Sequence, residues 1–118
     1  MKPDDLLRPT PRGLYCPPGD FYIDPVRGSV DRAVVTHGHA DHARAGHHSV
    51  YASAETLAIM KTRYGDDMAS QHHAVTLGES VTFNDVKVTF FPAGHILGST
   101  QILIEYAGYR VVVSGDYK

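Results

Sequence analysis

His37-Gly38-His39-Ala40-Asp41-His42 packs four potential metal ligands into six residues, directly after the apolar run Ala33-Val34-Val35. In an extended segment successive side chains alternate sides, so His37 and His39 aim at one point. Two imidazoles on one side make half of a metal site. If the chain then turns into a helix, Asp41 and His42 sit near its start and face a second site a few ångströms away, the layout of a two-metal centre. Gly38 and Ala40 are small spacers that let the loop wrap closely around an ion. Chance clustering is the alternative in a chain with 8 histidines. Three His and one Asp in this order, after a strand-like run, favour metal binding.

The chain has 118 residues, one domain's worth, with 42% hydrophobic and 20% charged residues. No apolar run approaches membrane-spanning length, so a soluble protein is expected. The start, Met1-Lys2-Pro3-Asp4-Asp5, leads into no apolar signal core, which makes a cytoplasmic location the default. Cys16 is the single cysteine and, ahead of Pro17-Pro18, reads as a turn residue without a role. Eleven basic against thirteen acidic residues leave a net charge of −2, which is not the electrostatic footprint of a nucleic-acid-binding domain. Bound cations could reverse the local sign.

Prolines 3, 9, 11, 17 and 18 make the first twenty residues an extended arm, with a short strand near Leu14. Phe21-Tyr22-Ile23 is strand-like and ends in Asp24-Pro25, where Asp24 reads first as a turn former and second as a carboxylate aimed at the site. Residues 32–36 form a buried strand that feeds the histidine loop, and residues 41–45 one helical turn stopped by Gly46. His47 and His48 then read as solvated loop residues. A short strand over 50–52 precedes a helix over 54–64, capped by Ser53, with Glu55 in its first turn, an apolar stripe of Leu57, Met60 and Tyr64, and Gly65 as its stop. His72 and His73 read as exposed loop histidines. Strands over 75–77, 81–83, 86–91, 101–106 and 110–114 follow, separated by tight turns and read as neighbouring antiparallel strands.

Two later residues fit the opening motif. His95 lies in Pro92-Ala93-Gly94-His95-Ile96-Leu97-Gly98-Ser99, after an apolar strand. Asp116 lies in Ser114-Gly115-Asp116, after Val111-Val112-Val113. A carboxylate can bridge two metals more readily than an imidazole. All three ligand groups follow apolar strands, at ends where the chain leaves a sheet.

With these residues in view the chain resembles the metallo-β-lactamase superfamily, whose metal motif is His-x-His-x-Asp-His. The Leu6-Leu7-Arg8-Pro9-Thr10 arm, the loop around His95 and the Ser114-Gly115-Asp116-Tyr117-Lys118 ending resemble the β-CASP nucleases, and within them the DNA-ligase-associated exonucleases. The resemblance implies an α/β fold of the α+β type, the N-terminal half of an αββα sandwich with mostly antiparallel or mixed sheet and helices on one face. It implies two divalent metal ions, zinc by preference, with manganese or iron fitting the same geometry. One would be held by His37, His39 and His95, with Asp116 bridging to a second held by Asp41 and His42. Asp24 matches the family's early strand-end Asp, which stands behind the ligands. The implied reaction is phosphodiester hydrolysis by a hydroxide that two metals activate, with Asp41 and Asp116 as the catalytic carboxylates.

The implied setting is nuclease chemistry in DNA repair, on DNA with RNA as a second candidate, beside a DNA ligase and away from membranes. Residues 1–118 are expected to be the N-terminal part of a metallo-β-lactamase domain, without the β-CASP insert, the later histidine of the second metal and the C-terminal half of the sandwich. On that expectation the chain alone binds metal poorly to moderately and is weakly active or inactive. Two other readings share the opening motif: a thioester hydrolase of the glyoxalase type, and a truncated metal-binding module that is not an enzyme.

Overall fold

The computed structural model describes residues 3–26, 28–37, 45–92 and 100–114. Its layering follows from the alternation at residues 33–35. Ala33 and Val35 are buried in one apolar cluster and Val34 in another, so this strand has core on both faces. That is the environment of a central strand in a parallel sheet.

The elements in chain order are α1 (Pro3–Leu6), β1 (Arg8–Thr10), β2 (Gly13–Cys16), β3 (Phe21–Ile23), β4 (Arg32–Val34), β5 (His47–Ala52), α2 (Ala54–Tyr64), β6 (Ala69–Ala74), β7 (Ser80–Phe83), β8 (Val86–Pro92), β9 (Thr100–Tyr106) and β10 (Tyr109–Ser114). Strands β1 to β6 form the first sheet in sequence order, antiparallel from β1 to β3 and parallel from β3 to β6. The second sheet has the order β10-β9-β8-β7 and is antiparallel throughout. Between the sheets lie Phe21, Ile23 and Val34 from the first and Phe83, Val88, Phe90, Ile102 and Ile104 from the second. On the other face of the first sheet Leu57 and Met60 of α2 pack with Ala33, Val35, Val50 and Ala52. Burying each of the two helix side chains stabilises the layer by about 2 kcal/mol. The described residues therefore form α, β and β layers, a mixed fold of mostly sheet with the long helix on one face, as the sequence led one to expect.

Helix α2 starts and stops where its residues demand. The Thr56 N–H donates to Ser53 Oγ at 3.2 Å, and the Gly65 N–H bonds the Lys61 carbonyl at 2.8 Å. The β7–β8 turn carries Asn84 and Asp85 at φ 48° and 71°, and the β9–β10 turn carries Ala107 and Gly108 at φ 53° and 83°. Two consecutive positive φ values match the right-handed twist of a two-residue hairpin, which is why these turns are short.

Four sequence expectations need correction. His47 and His48 are not in a loop: they open β5, and His47 is buried. His72 and His73 lie on β6, where His72 and His73 pair with Val50 and Tyr51 and the His73 ring stacks on Tyr51 at 4.2 Å between centroids. The strand expected over 75–77 is absent, since the chain there is already turning toward β7 and its pairing role falls to Ala69–Ala74. The opening arm is built rather than merely extended, with α1 and the β1–β2 hairpin. For the two histidine pairs, neighbouring parallel strands distant in sequence supply hydrogen bonds that a polar local sequence does not advertise. Within the expected helical turn over 41–45, residues 41–44 lie outside the described residues.

Candidate metal centre

One end of the sandwich collects the strand ends that matter. The parallel strands β3 and β4 run toward it, so Asp24 follows β3 there and His37 lies just past β4. In the second sheet Pro92, the last residue of β8, pairs with Thr100, the first of β9, and Ser114, the last of β10, pairs with Gln101. Thr100 is hydrogen-bonded to Thr36, which brings that end of the second sheet against the end of β4. The stretches that begin at residues 38, 93 and 115 thus leave the described fold at one end of the molecule.

The junction is built from three residues. Asp24 sits at φ 49°, a left-handed conformation that Asp tolerates better than most residues. Its N–H donates to the Val34 carbonyl at 2.9 Å, which ties the end of β3 to β4. Asp24 Oδ1 accepts the Thr36 N–H at 2.8 Å and Oδ2 accepts the Thr36 hydroxyl at 2.7 Å. The Thr36 carbonyl in turn accepts the Thr100 N–H at 2.6 Å and the Thr100 hydroxyl at 3.0 Å. Asp24 thus makes the turn that its sequence suggests, and its carboxylate binds Thr36, the residue before His37.

His37 is buried, with 1% of its surface exposed. Its Nε2 is buried and makes no hydrogen bond, while the residue is held by other contacts. His39, Asp41, His42, His95 and Asp116 lie outside the described residues. Among the described residues no three His, Cys, Asp or Glu side chains form a metal-sized cluster. What the described residues offer a metal is one buried imidazole at a strand end, a donor that suits zinc and its neighbours, with the residue upstream held by a carboxylate.

The other perturbed groups stand elsewhere. The hydrogen bond to Asp20 raises the Tyr15 hydroxyl pKa, and burial raises that of the Cys16 thiol, with the Gly19 backbone partly offsetting it. Burial lowers the pKa of His47, which starts β5 at the end of the sheet opposite His37. That position takes His47 away from the candidate centre, about 20 Å along the strand direction at roughly 3.3 Å per residue. Sequence reasoning missed Thr36 and Thr100. Nothing local marks either one, since a threonine at a strand end is commonplace.

The model described as "Beta-lactamase superfamily domain" matches residues 16–118, and the chain belongs to that superfamily, whose members use divalent metal ions. A "Probable DNA ligase" of Opitutus terrae is 35% identical over 108 residues, covering 90% of this chain and 10% of the relative. "Endoribonuclease YSH1" of Gibberella zeae is 28% identical over 129 residues, with 82% of this chain and 16% of the relative covered. "Cleavage and polyadenylation specificity factor subunit 3-I" of Arabidopsis thaliana is 26% identical over 140 residues, with 94% and 20% covered. The chain thus spans between a tenth and a fifth of the length of these relatives. A crystal structure of a protein of unknown function from Enterococcus faecalis shares the fold, with a TM-score of 0.59 at 19% identity over 72% of this chain and 24% of that one. No helix among the described residues is long and apolar enough to cross a membrane.

Proposed function

We propose that the complete gene product is a metal-dependent phosphodiesterase that hydrolyses nucleic acid, with DNA as its substrate. The observation that carries this reading is the convergence of the ends of β3, β4, β8 and β10 on one end of the sandwich, from which residues 38–42, 93–99 and 115–116 depart. In this reading His37, His39 and His95 would hold one ion and Asp41 and His42 a second, with Asp116 as a further carboxylate ligand. Zinc fits that donor set best. Bound ions would supply an activated water at neutral pH and positive charge for the phosphoryl oxygens.

The protein's own residues do the rest. Asp24 braces Thr36 and so fixes the backbone from which His37 projects. With a net charge of −2 on the chain, attraction for a polyanion comes from the metal positions rather than from a basic surface. Likeness to a protein called a probable DNA ligase supports DNA and a role beside a ligase in repair. Likeness to proteins called endoribonucleases supports RNA as the second candidate.

The test is to purify the complete gene product, measure its metal content, and offer it end-labelled DNA, RNA and a glutathione thioester. Metal-dependent cleavage of DNA, lost in His39→Ala and Asp116→Ala, is the expected result. Turnover of the thioester with both nucleic acids left intact would overturn the proposal in favour of a glyoxalase-type hydrolase. Preference for RNA over DNA would keep the chemistry and replace the substrate.

A further inference from the structure

At the end where β4 finishes and β9 begins, the two sheets are hydrogen-bonded through one peptide group. The Thr36 carbonyl accepts the backbone N–H of Thr100 at 2.6 Å and its hydroxyl at 3.0 Å, across 64 positions of sequence. A carbonyl oxygen has two lone pairs, and Thr100 occupies both. The donors of Thr36, its N–H and its hydroxyl, are both taken by Asp24. Thr36 is 0% and Thr100 1% exposed, so water does not compete for these bonds.

Peptide planarity gives this junction its consequence. The Thr36 carbonyl and the His37 N–H belong to one rigid unit. Two hydrogen bonds on that carbonyl fix the plane, which leaves His37 to be aimed only by its own torsions. Thr100 also pairs with Pro92, so Pro92 and Thr100 are the two feet of the stretch that contains His95. Thr100, which follows the stretch containing His95 in the chain, therefore orients the peptide carrying His37.

We propose that Thr100 is a positioning residue for His37: its hydroxyl, with its backbone N–H, holds the Thr36 carbonyl and so fixes the peptide from which His37 projects toward a metal position. This rests on the reading of His37 as a metal ligand. Residues that orient metal ligands without touching the metal typically change affinity by 10- to 100-fold when removed. Thr100→Val deletes the hydroxyl bond, keeps the backbone N–H bond and preserves shape and strand preference. Thr100→Ser keeps the hydroxyl.

The experiment uses the complete gene product, stripped of metal and titrated with Zn2+ against a chelator and with Co2+ followed by visible absorption. In Thr100→Val the dissociation constant for Zn2+ should rise at least about tenfold and the Co2+ spectrum should shift, with Thr100→Ser restoring both to within about twofold of wild type. Metal-free unfolding midpoints of the two variants should agree. If Thr100→Val does not fold, Thr100→Ala takes its place in the same comparison. Wild-type affinity and spectrum in Thr100→Val overturn the inference while leaving the metal reading intact, as does a Thr100→Ser variant as impaired as Thr100→Val. A wild-type protein that takes up no Zn2+ or Co2+ overturns the ligand reading itself.

Discussion

Asp24 grips Thr36 with both carboxylate oxygens, Oδ1 on the N–H at 2.8 Å and Oδ2 on the hydroxyl at 2.7 Å. The acceptor is charged and the donors are buried, so the bonds belong to the stronger kind. Asp24→Ala leaves both donors unmet and should cost about 3 kcal/mol, whereas Asp24→Asn keeps one acceptor and should cost about half as much. Urea unfolding of the two variants measures the difference. Equal losses would show that the isosteric amide restores neither bond, and would refute the expectation that one acceptor suffices for half of the effect.

Backbone geometry beside Asp24 gives a second expectation. Gly13 has φ 138°, and a Cβ there would lie 3.1 Å from Pro25 Cα and 3.3 Å from the Asp24 carbonyl oxygen. Gly13→Ala should therefore destabilise by about 2 kcal/mol through strain and displacement of the Asp24 backbone. Gly78→Ala is the control, since Gly78 also has positive φ, 87°, but nothing within 4 Å of an added Cβ. It should lose only about 1 kcal/mol. Thermal midpoints of the pair separate crowding from backbone conformation.

His47 makes stability depend on pH. Its Nδ1 accepts the Val30 N–H at 3.2 Å inside the fold, which only the neutral ring can do. Burial lowers its pKa below the ordinary 6.5. Because the folded value is the lower one, the contribution of His47 is fully present above 6.5 and is lost as pH falls through the folded value. The slope within that window is at most about 1.4 kcal/mol per pH unit, the limit for one proton. In His47→Gln, whose side-chain carbonyl can take the same bond without titrating, urea midpoints should fall less between about pH 7 and about pH 5 than in wild type. Parallel curves would refute the assignment.

Metal removal gives a fourth. On the proposed ligand set, ions at a hundredfold excess over their dissociation constant stabilise the folded protein by ~2.7 kcal/mol. A chelator should lower the thermal midpoint of the complete gene product accordingly. His39→Ala and His95→Ala should start near the chelated midpoint and respond little to the chelator. A wild-type midpoint indifferent to chelation would remove the metal from the folding equilibrium.

What the amino-acid order determined by itself was local. Ser53 and Gly65 bound α2, Leu57 and Met60 face its core, and Asn84-Asp85 turns β7 into β8. The six residues from His37 to His42 pointed to the superfamily, because motif spacing is a property of adjacent residues. Tertiary structure alone decided the parallel pairing of β4, β5 and β6, since Ala69–Ala74 is too polar to announce a strand and is held by its partner β5. It also decided the bonds from Asp24 to Thr36 and from Thr36 to Thr100. Those contacts join residues 12 and 64 positions apart. Their formation depends on where two sheets come to rest against each other, and periodicity, capping and turn chemistry carry no information about that distance.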